Sequence, residues 1–264
     1  MNEIFTLHRG SAPLLISLPH VGTQLPDALR ERLAVEALDV PDTDWHLEAL
    51  YGFARELGAS LLVPKFSRYV IDLNRPGDDA PMYAGANNTA LCPTRRFTGD
   101  LLYRDGAEPG DEEIAQRRDR YWRPYHDALR EELDRIRAAH GHAVLFDGHS
   151  IKSRLPWLFE GTLPELNLGT ASGASCAASL RERLARVLAQ QSGYTHVVDG
   201  RFKGGHITRH YGRPELGVHA VQLEMAWSCY MAEEPPYRID AQRAARLAPL
   251  LRALVQAMLD WRPA

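Results

Sequence analysis

The chain has 264 residues, 45% hydrophobic and 25% charged, with a formal net charge of -3. This composition is typical of a globular protein and gives no overall attraction to nucleic acid or to anionic membranes. Three cysteines without paired spacing argue against a disulfide framework and a structural zinc knuckle. With neither a signal peptide nor an apolar run of about 20 residues, we expect a cytoplasmic protein; the oligomeric state stays open.

The first feature with chemistry follows an early strand. The apolar run at residues 14–18 predicts a buried strand that ends at Pro19 and His20. Gly22 allows a sharp turn beside that imidazole. A helix is expected next, from Pro26 through Leu33.

Residues 42–46 predict the start of another helix, with Asp42 as its N-cap. Its buried face is expected to comprise apolar residues at helical spacing, namely Leu47, Leu50, Tyr51, Ala54 and Leu57, and Gly58 ends it. Asp44 and His46 fall on opposite flanks of that face, so either is a candidate ligand for a metal. The alternative is an acidic first turn that only complements the helix dipole.

Two further strands are predicted at residues 60–63 and 68–77. Asn74 and Arg75 end the second, where a guanidinium offers a planar set of donors suited to a carboxylate. Residues 78–111 read as a long loop over the site. A helix over 112–139 follows, which Pro124 is expected to kink.

The apolar run at 144–146 predicts a strand that ends in Asp147, Gly148, His149 and Ser150. A strand-end Asp or His is often only a turn or cap residue. However, His20 follows a strand of the same form, and neighbouring strands are about 5 Å apart. The two histidines can therefore converge on one metal ion.

The last third predicts strands at 166–169, 196–198 and 218–225, with helices through Leu188 and over 240–261. Residues 199–212 are rich in glycine and basic residues and could hold an anion through backbone N–H groups and Arg209; their spacing does not match a nucleotide-binding motif. Glu224 in the last strand is costly to bury unless it is paired or working. It is either a general base or the partner of an arginine. We expect one α/β domain over 1–264.

With these pieces placed, the chain resembles the N-formylglutamate deformylase (N-formylglutamate amidohydrolase) family, which releases formate from N-formyl-L-glutamate in histidine degradation. Six motifs carry the resemblance in order, at residues 18–22, 42–46, 70–76, 146–150, 205–212 and 222–225. The resemblance implies a hydrolase with a three-layer α/β/α fold and a mixed central sheet. Such a fold is similar to that of zinc exopeptidases (phosphorylase/hydrolase-like) and of aspartoacylase.

The resemblance also implies site residues: His20 and His149 on zinc, Asn74 and Arg75 on the substrate, and Glu224 as base. The zinc exopeptidases place a glutamate three residues after the first histidine, where this sequence has Thr23. The third ligand must then come from elsewhere. We expect Asp44 rather than His46, because a carboxylate brings the charge of the zinc site closer to neutral than a third imidazole would.

Further roles follow as hypotheses. Arg68 would assist at the formyl oxygen, and Asp147 would orient a ligand histidine. The two substrate carboxylates would need two cations, for which Arg75 and Arg209 are the candidates. Thr208 would join Arg209 in substrate binding, and Arg213 is a reserve.

Two other functions remain open at this point. One is a zinc amidase acting on another N-acyl amino acid, such as an N-acylaspartate. The other is a protein that binds a dicarboxylic amino acid without catalysis. Nitrogen and oxygen ligands alone do not fix zinc over another divalent ion.

Overall fold

The computed structural model describes residues 3–81 and 89–263. In this part of the chain, seven strands form one mixed sheet in the order β1-β3-β2-β4-β7-β5-β6. The strands are β1 (Phe5–His8), β2 (Leu14–Ser17), β3 (Ser60–Pro64), β4 (Ala143–Ile151), β5 (Leu166–Gly169), β6 (His196–Val198) and β7 (Val218–Ala226). Neighbours β3, β2, β4 and β7 run parallel, whereas β1 and β5 pair antiparallel with β3 and β7. The predicted mixed α/β fold is confirmed.

The α-helices of the described ranges are α1 (Asp27–Arg30), α2 (Leu47–Tyr51), α3 (Asp111–Arg117), α4 (Arg123–His140), α5 (Ala178–Ala189), α6 (His206–Tyr211) and α7 (Ala241–Leu259). Short 3-10 turns span Val35–Ala37, Gly52–Ala54, Ala171–Gly173, Pro214–Leu216 and Trp227–Cys229. None of these helices combines the length and the apolar character that a membrane span requires.

The sheet is covered on both faces. In β2, Leu14 and Ile16 pack into one apolar cluster, which includes residues of α2, α5 and α7. Leu15, between them, points into a second cluster with residues of α4. Because successive side chains of a strand point to opposite faces, this alternation requires three layers.

The sheet also brings the candidate site residues together. In the parallel pair β2 and β4, Ser17 lies opposite Asp147, and in β4 and β7, His149 lies opposite Glu224. Residues at the carboxyl ends of adjacent parallel strands share one edge of the sheet, where α/β proteins bind ligands. His20, three residues beyond β2, reaches the same edge.

The strand that carries His149 is longer than predicted. β4 continues through Ile151, which lies opposite Ala226 of β7. Asp147 and His149 are therefore inside the strand instead of beyond its end. The apolar run marks only the first half of β4, because the second half carries polar side chains into the site.

The predicted strand at 68–77 is wrong, because the structure forms turns there. The carboxylate of Asp72 accepts a hydrogen bond from the backbone N–H of Asn74 at 2.8 Å. It also binds the guanidinium of Arg68, four residues earlier. These local bonds to a side chain replace the ladder that a strand would need.

Asp42 is not a helix N-cap, which corrects a second prediction. Helix α2 begins at Leu47, after His46 with a left-handed φ of 64°. The Asp42 carboxylate instead accepts hydrogen bonds from the Tyr69 hydroxyl at 2.8 Å and the Phe97 backbone N–H at 2.9 Å. Residues 41–46 thus form an irregular connection, and α1 is likewise shorter than the predicted helix.

The predicted helix over 112–139 is present as α3 and α4, joined by a π-helical turn at Arg118–Trp122. Pro124 lies in the first turn of α4, directly after the π-helical turn that interrupts the regular helix there. Residues 78–81 and 89–110 contain neither helix nor strand beyond single bridges, as the loop prediction expects, whereas 82–88 lie outside the described residues.

Candidate active site

Two imidazoles and a carboxylate converge at the sheet edge. Ligand atoms of His20, Asp44 and His149 all lie within 4.8 Å of one another, and all three residues are buried. Nδ1 of His149 is 3.1 Å from Asp44 Oδ2, and Nδ1 of His20 is 3.8 Å from the same oxygen. Two nitrogens and one carboxylate are a ligand set that catalytic zinc sites use. These residues could hold one divalent metal ion.

His46, the alternative third ligand, lies elsewhere. Its Nε2 is 2.7 Å from the backbone oxygen of Tyr237, on the chain beyond β7. Asp44 is therefore the residue of this pair that converges with the two histidines.

Each of the two imidazoles is backed by a second carboxylate. His20 Nε2 lies 2.7 Å from Asp72 Oδ1, and His149 Nε2 lies 3.0 Å from Asp147 Oδ1. These contacts turn both Nδ1 atoms towards Asp44, an arrangement that orients metal-binding histidines in many sites. Burial opposes the charge of Asp72, but Arg68 and His20 outweigh it and hold its pKa well below the ordinary value.

The pKa of His149 is raised well above its ordinary value. Burial lowers it, but the carboxylates of Asp147 and Asp44 act more strongly in the opposite direction. The pKa of His20 is lowered, first by burial and then by the charge of Arg68. A metal ion binds the deprotonated imidazole ring. A metal ion that binds to the metal-free protein therefore has to displace a proton from His149.

Asn74 lies in the turn that follows Asp72 and contacts His149. Its Nδ2 is 2.8 Å from His149 Nε2 and donates to Asp147 Oδ2 at 3.2 Å, while its Oδ1 accepts from the Ile207 N–H at 2.7 Å. A Cβ atom on Gly205 would come within 2.4 Å of this Nδ2. The glycine is thus required by the close approach of the amide.

Arg68 extends from the turn after β3 into the site. Its Nη1 is 3.3 Å from His20 Nδ1, and its Cζ lies 4.4 Å from the centroid of the Phe97 ring. Burial lowers its pKa, but the carboxylate of Asp72 outweighs burial and the net shift is upward. A buried, charged guanidinium beside the metal-ligand group can stabilise negative charge that develops there.

Glu224 lies on β7 directly opposite His149. Burial, followed by the negative charges of Asp44 and Asp147, raises its pKa to about 8, although His149 and Arg68 act in the opposite direction. A carboxyl group whose pKa lies near neutrality is suited to taking up and releasing a proton.

These groups line one open cavity with about 690 Å³ of empty space. Its polar lining is His20, Asp44, Arg68, Asp72, Asn74, Arg75, Thr89, His149, Ser150, Arg201, Gln222 and Glu224. Its other lining residues are Phe97, Ile151, Leu158, Phe202 and Gly205. Charged groups therefore meet an apolar wall within one cavity.

The sequence-predicted substrate residues are not all in this lining. Arg75 is, with Nε and Nη2 donating to Thr89 Oγ1 at 3.2 and 2.7 Å. Thr208 is buried and donates to Asp147 Oδ2 at 3.1 Å, whereas Arg209 is exposed and donates to Gly204 O at 2.8 Å. Neither is among the described residues that line the cavity, where Arg201 is the third arginine, besides Arg68 and Arg75.

Comparison with known proteins agrees with this geometry. A family model described as N-formylglutamate amidohydrolase matches residues 12–231. The chain belongs to the N-formylglutamate amidohydrolase family. Its N-formylglutamate deformylase relative from Pseudomonas putida is 52% identical over 261 residues, 99% of this chain and 97% of the relative. The one from Pseudomonas aeruginosa is 51% identical over 261 residues, 99% of this chain and 98% of the relative.

A solved structure agrees as well. The crystal structure of N-formylglutamate amidohydrolase from Ralstonia eutropha JMP134 has a TM-score of 0.80 to this chain at 25% identity. The match covers 97% of this chain and 96% of that one. In this N-formylglutamate amidohydrolase family member, the cavity lining runs from His20 to Glu224. All of these lining residues fall inside the range that the family model matches.

Several lining residues of this family member were not assigned to the site by the sequence analysis, among them Asp72, Arg201 and Phe97. Asp72 carried a usable signal, since a lone acid in an apolar run two residues before Asn74 is costly to bury without a partner. Arg201 is one of several basic residues in its segment, and no pattern separates it from Arg209. Phe97 lies in a long loop without periodicity, so nothing in the sequence assigns it to the site.

Proposed function

We propose that this protein hydrolyses N-formyl-L-glutamate to formate and L-glutamate with one divalent metal ion, zinc, held by His20, Asp44 and His149. The observation that carries the proposal is that these three candidate ligands line the same cavity as Glu224 and three arginines. Membership of the N-formylglutamate amidohydrolase family and relatives called N-formylglutamate deformylase support the choice of substrate.

The chain's own residues account for the proton transfers. A bound divalent ion would polarise the formyl carbonyl and lower the pKa of the attacking water. Glu224 accepts a proton from that water as its oxygen bonds to the formyl carbon. Glu224 then gives the proton to the amino nitrogen as the carbon–nitrogen bond breaks. Arg68 donates to the formyl oxygen as negative charge develops there.

The substrate's two carboxylates require two cationic contacts. We assign one carboxylate to Arg75 with Asn74, and the other carboxylate to Arg201. Nη2 of Arg201 donates a hydrogen bond to Leu158 O at 3.0 Å. Thr208 supports the site through Asp147 in this scheme, and Arg209 at the surface contributes less. Because formyl is small, most of the recognition energy has to come from the glutamate part.

We further propose that the enzyme acts in the cytoplasm, where it completes one route of histidine breakdown. The three cysteines of the chain are free thiols and buried, which suits a reducing compartment.

The deciding experiment measures formate release from N-formyl-L-glutamate by protein that has been stripped with a chelator and then reloaded with Zn²⁺. We expect turnover only after reloading. N-formyl-L-aspartate, N-acetyl-L-aspartate and N-acetyl-L-glutamate are the comparison substrates. A zinc amidase of other specificity would prefer one of these. A protein that binds dicarboxylic amino acids without catalysis would release no formate and bind its ligand equally well without metal.

A further inference from the structure

Tyr230 lies just beyond the 3-10 turn that follows β7 and is completely buried. Its hydroxyl hydrogen-bonds with the backbone oxygen of Trp45 at 2.9 Å and with Ser150 Oγ at 2.7 Å. Trp45 directly follows Asp44, and Ser150 directly follows His149. A single hydroxyl group therefore connects the two chain segments that carry two of the candidate metal ligands.

A second contact joins the same two segments. The backbone N–H of Ser150 donates to Asp44 Oδ2 at 3.2 Å, and this is the oxygen that lies 3.1 Å from His149 Nδ1. The Asp44 carboxylate is thus placed by bonds that reach it from β4 and not by a regular element of its own. Any shift of Trp45 relative to Ser150 changes the separation of the two ligand atoms.

The backbone around Asp44 needs such support. His46 has a left-handed φ of 64°, a conformation that a residue other than glycine keeps only where neighbours enforce it. His46 Nε2 contacts Tyr237 O, and the Trp45 ring stacks on the Tyr237 ring with centroids 5.5 Å apart. The chain that follows β7 therefore holds the two residues that directly follow Asp44.

We propose that Tyr230 is a positioning residue that fixes the distance between Asp44 and His149, and thereby the affinity of the site for a divalent metal ion. Tyr230 is not part of the cavity lining, so it acts through these two residues and not on the substrate. The proposal rests on the proposed function, because it requires the metal site.

The test uses the full-length Tyr230→Phe variant, which keeps the ring and removes the two hydrogen bonds. Tyr51→Phe is the matched control, because Tyr51 is equally buried in the same apolar cluster and its hydroxyl has no hydrogen-bond partner among the described residues. Zn²⁺ affinity is measured by competition with a chromogenic chelator. We expect Tyr230→Phe to bind Zn²⁺ about 10- to 100-fold more weakly, and Tyr51→Phe to bind like wild type.

Two further readouts separate positioning from general stability. The visible spectrum of the Co²⁺-loaded protein reports ligand geometry, and we expect it to change in Tyr230→Phe only. The rise in melting temperature on adding Zn²⁺ should shrink in the same variant. A purely structural role would lower the melting temperature of the metal-free protein and leave the Zn²⁺ affinity and the Co²⁺ spectrum unchanged, which would overturn the proposal.

If Tyr230→Phe does not fold, Ser150→Ala removes the other end of the same contact, and wild-type Zn²⁺ affinity in that variant overturns the proposal. Wild-type protein that binds neither Zn²⁺ nor Co²⁺ would overturn the proposed metal site itself. If the wild-type protein binds metal and Tyr230→Phe binds it with the same affinity, only the role of Tyr230 is overturned.

Discussion

The carboxylate of Asp72 lies 2.7 Å from Nε2 of His20, which leaves Nδ1 of that ring directed at Asp44. The same carboxylate binds the guanidinium of Arg68 at 2.5 Å and the backbone N–H of Asn74 at 2.8 Å. One fully buried acid therefore orients a candidate metal ligand, the cation beside it and the turn that leads to Arg75.

This arrangement predicts that Asp72→Asn weakens the binding of Zn²⁺ by about 10- to 100-fold, because second carboxylates that orient ligand histidines have effects of this size. The amide keeps the volume but removes the charge that pairs with Arg68 and His20. Chelator competition measures the affinity. Asp119→Asn, at an exposed position paired with Arg123, is the control and should bind Zn²⁺ like wild type. Equal affinity in both variants would contradict the role given to Asp72.

The sequence predicts the parts of this site that depend on regular patterns. The apolar runs before His20 and His149 indicate adjacent buried strands, and strand adjacency brings the two imidazoles together. The predictions of the strands β5, β6 and β7 and of the helices α5 and α7 are also confirmed, because short apolar runs mark the strands and apolar residues at helical spacing mark the helices. Asp240 accepts from the backbone N–H groups of residues 242 and 243, as an N-cap at the start of α7 should.

The parts that failed lie where side chains override the local pattern. Residues 68–77 have strand-like composition, but the bonds of Asp72 to Arg68 and Asn74 turn the backbone away from the sheet. Asp42 resembles an N-cap in sequence, yet it binds Tyr69 and Phe97, which are distant along the chain. Such tertiary contacts have no signature within a short window, so local reasoning assigns these acids to the wrong partners.

Glu224→Gln is predicted to keep the fold and the metal but to lower kcat by about 100- to 10,000-fold, the usual contribution of a general base. The amide fills the same space opposite His149 but cannot accept the proton from water. Steady-state formate release, with metal content measured on the same samples, tests this. Glu215→Gln at an exposed position serves as the control. A rate near that of wild type would remove Glu224 from the mechanism.

The raised pKa of Glu224 also predicts how the stability of the metal-free protein depends on pH. Burial and the charge of Asp44 raise this pKa from 4.5 to about 8. Between these two pH values, Glu224 keeps its proton in the folded state and loses it in the unfolded state. The contribution of Glu224 to the free energy of unfolding is therefore lost as the pH rises from about 4.5 to about 8. Gln cannot ionise, so Glu224→Gln should not show this loss.

Urea unfolding in the presence of EDTA, at pH values between 5 and 8, measures the difference. We expect the free energy of unfolding of wild type to fall relative to Glu224→Gln as the pH increases. Glu215→Gln should follow wild type throughout. Parallel profiles for wild type and Glu224→Gln would show that Glu224 is already ionised in the folded metal-free protein.

Arg201 and Arg209 lie in the same glycine-rich segment, but only Arg201 lines the cavity. Loss of a charged hydrogen bond to a substrate carboxylate costs about 1.5–3 kcal/mol. Arg201→Met should therefore lower kcat/KM for N-formyl-L-glutamate by about 10- to 100-fold, mainly through KM. Arg209→Met, at the surface, is expected to change kcat/KM only slightly. A larger loss of kcat/KM in Arg209→Met than in Arg201→Met would show that Arg209 binds the second carboxylate, as the sequence analysis expects.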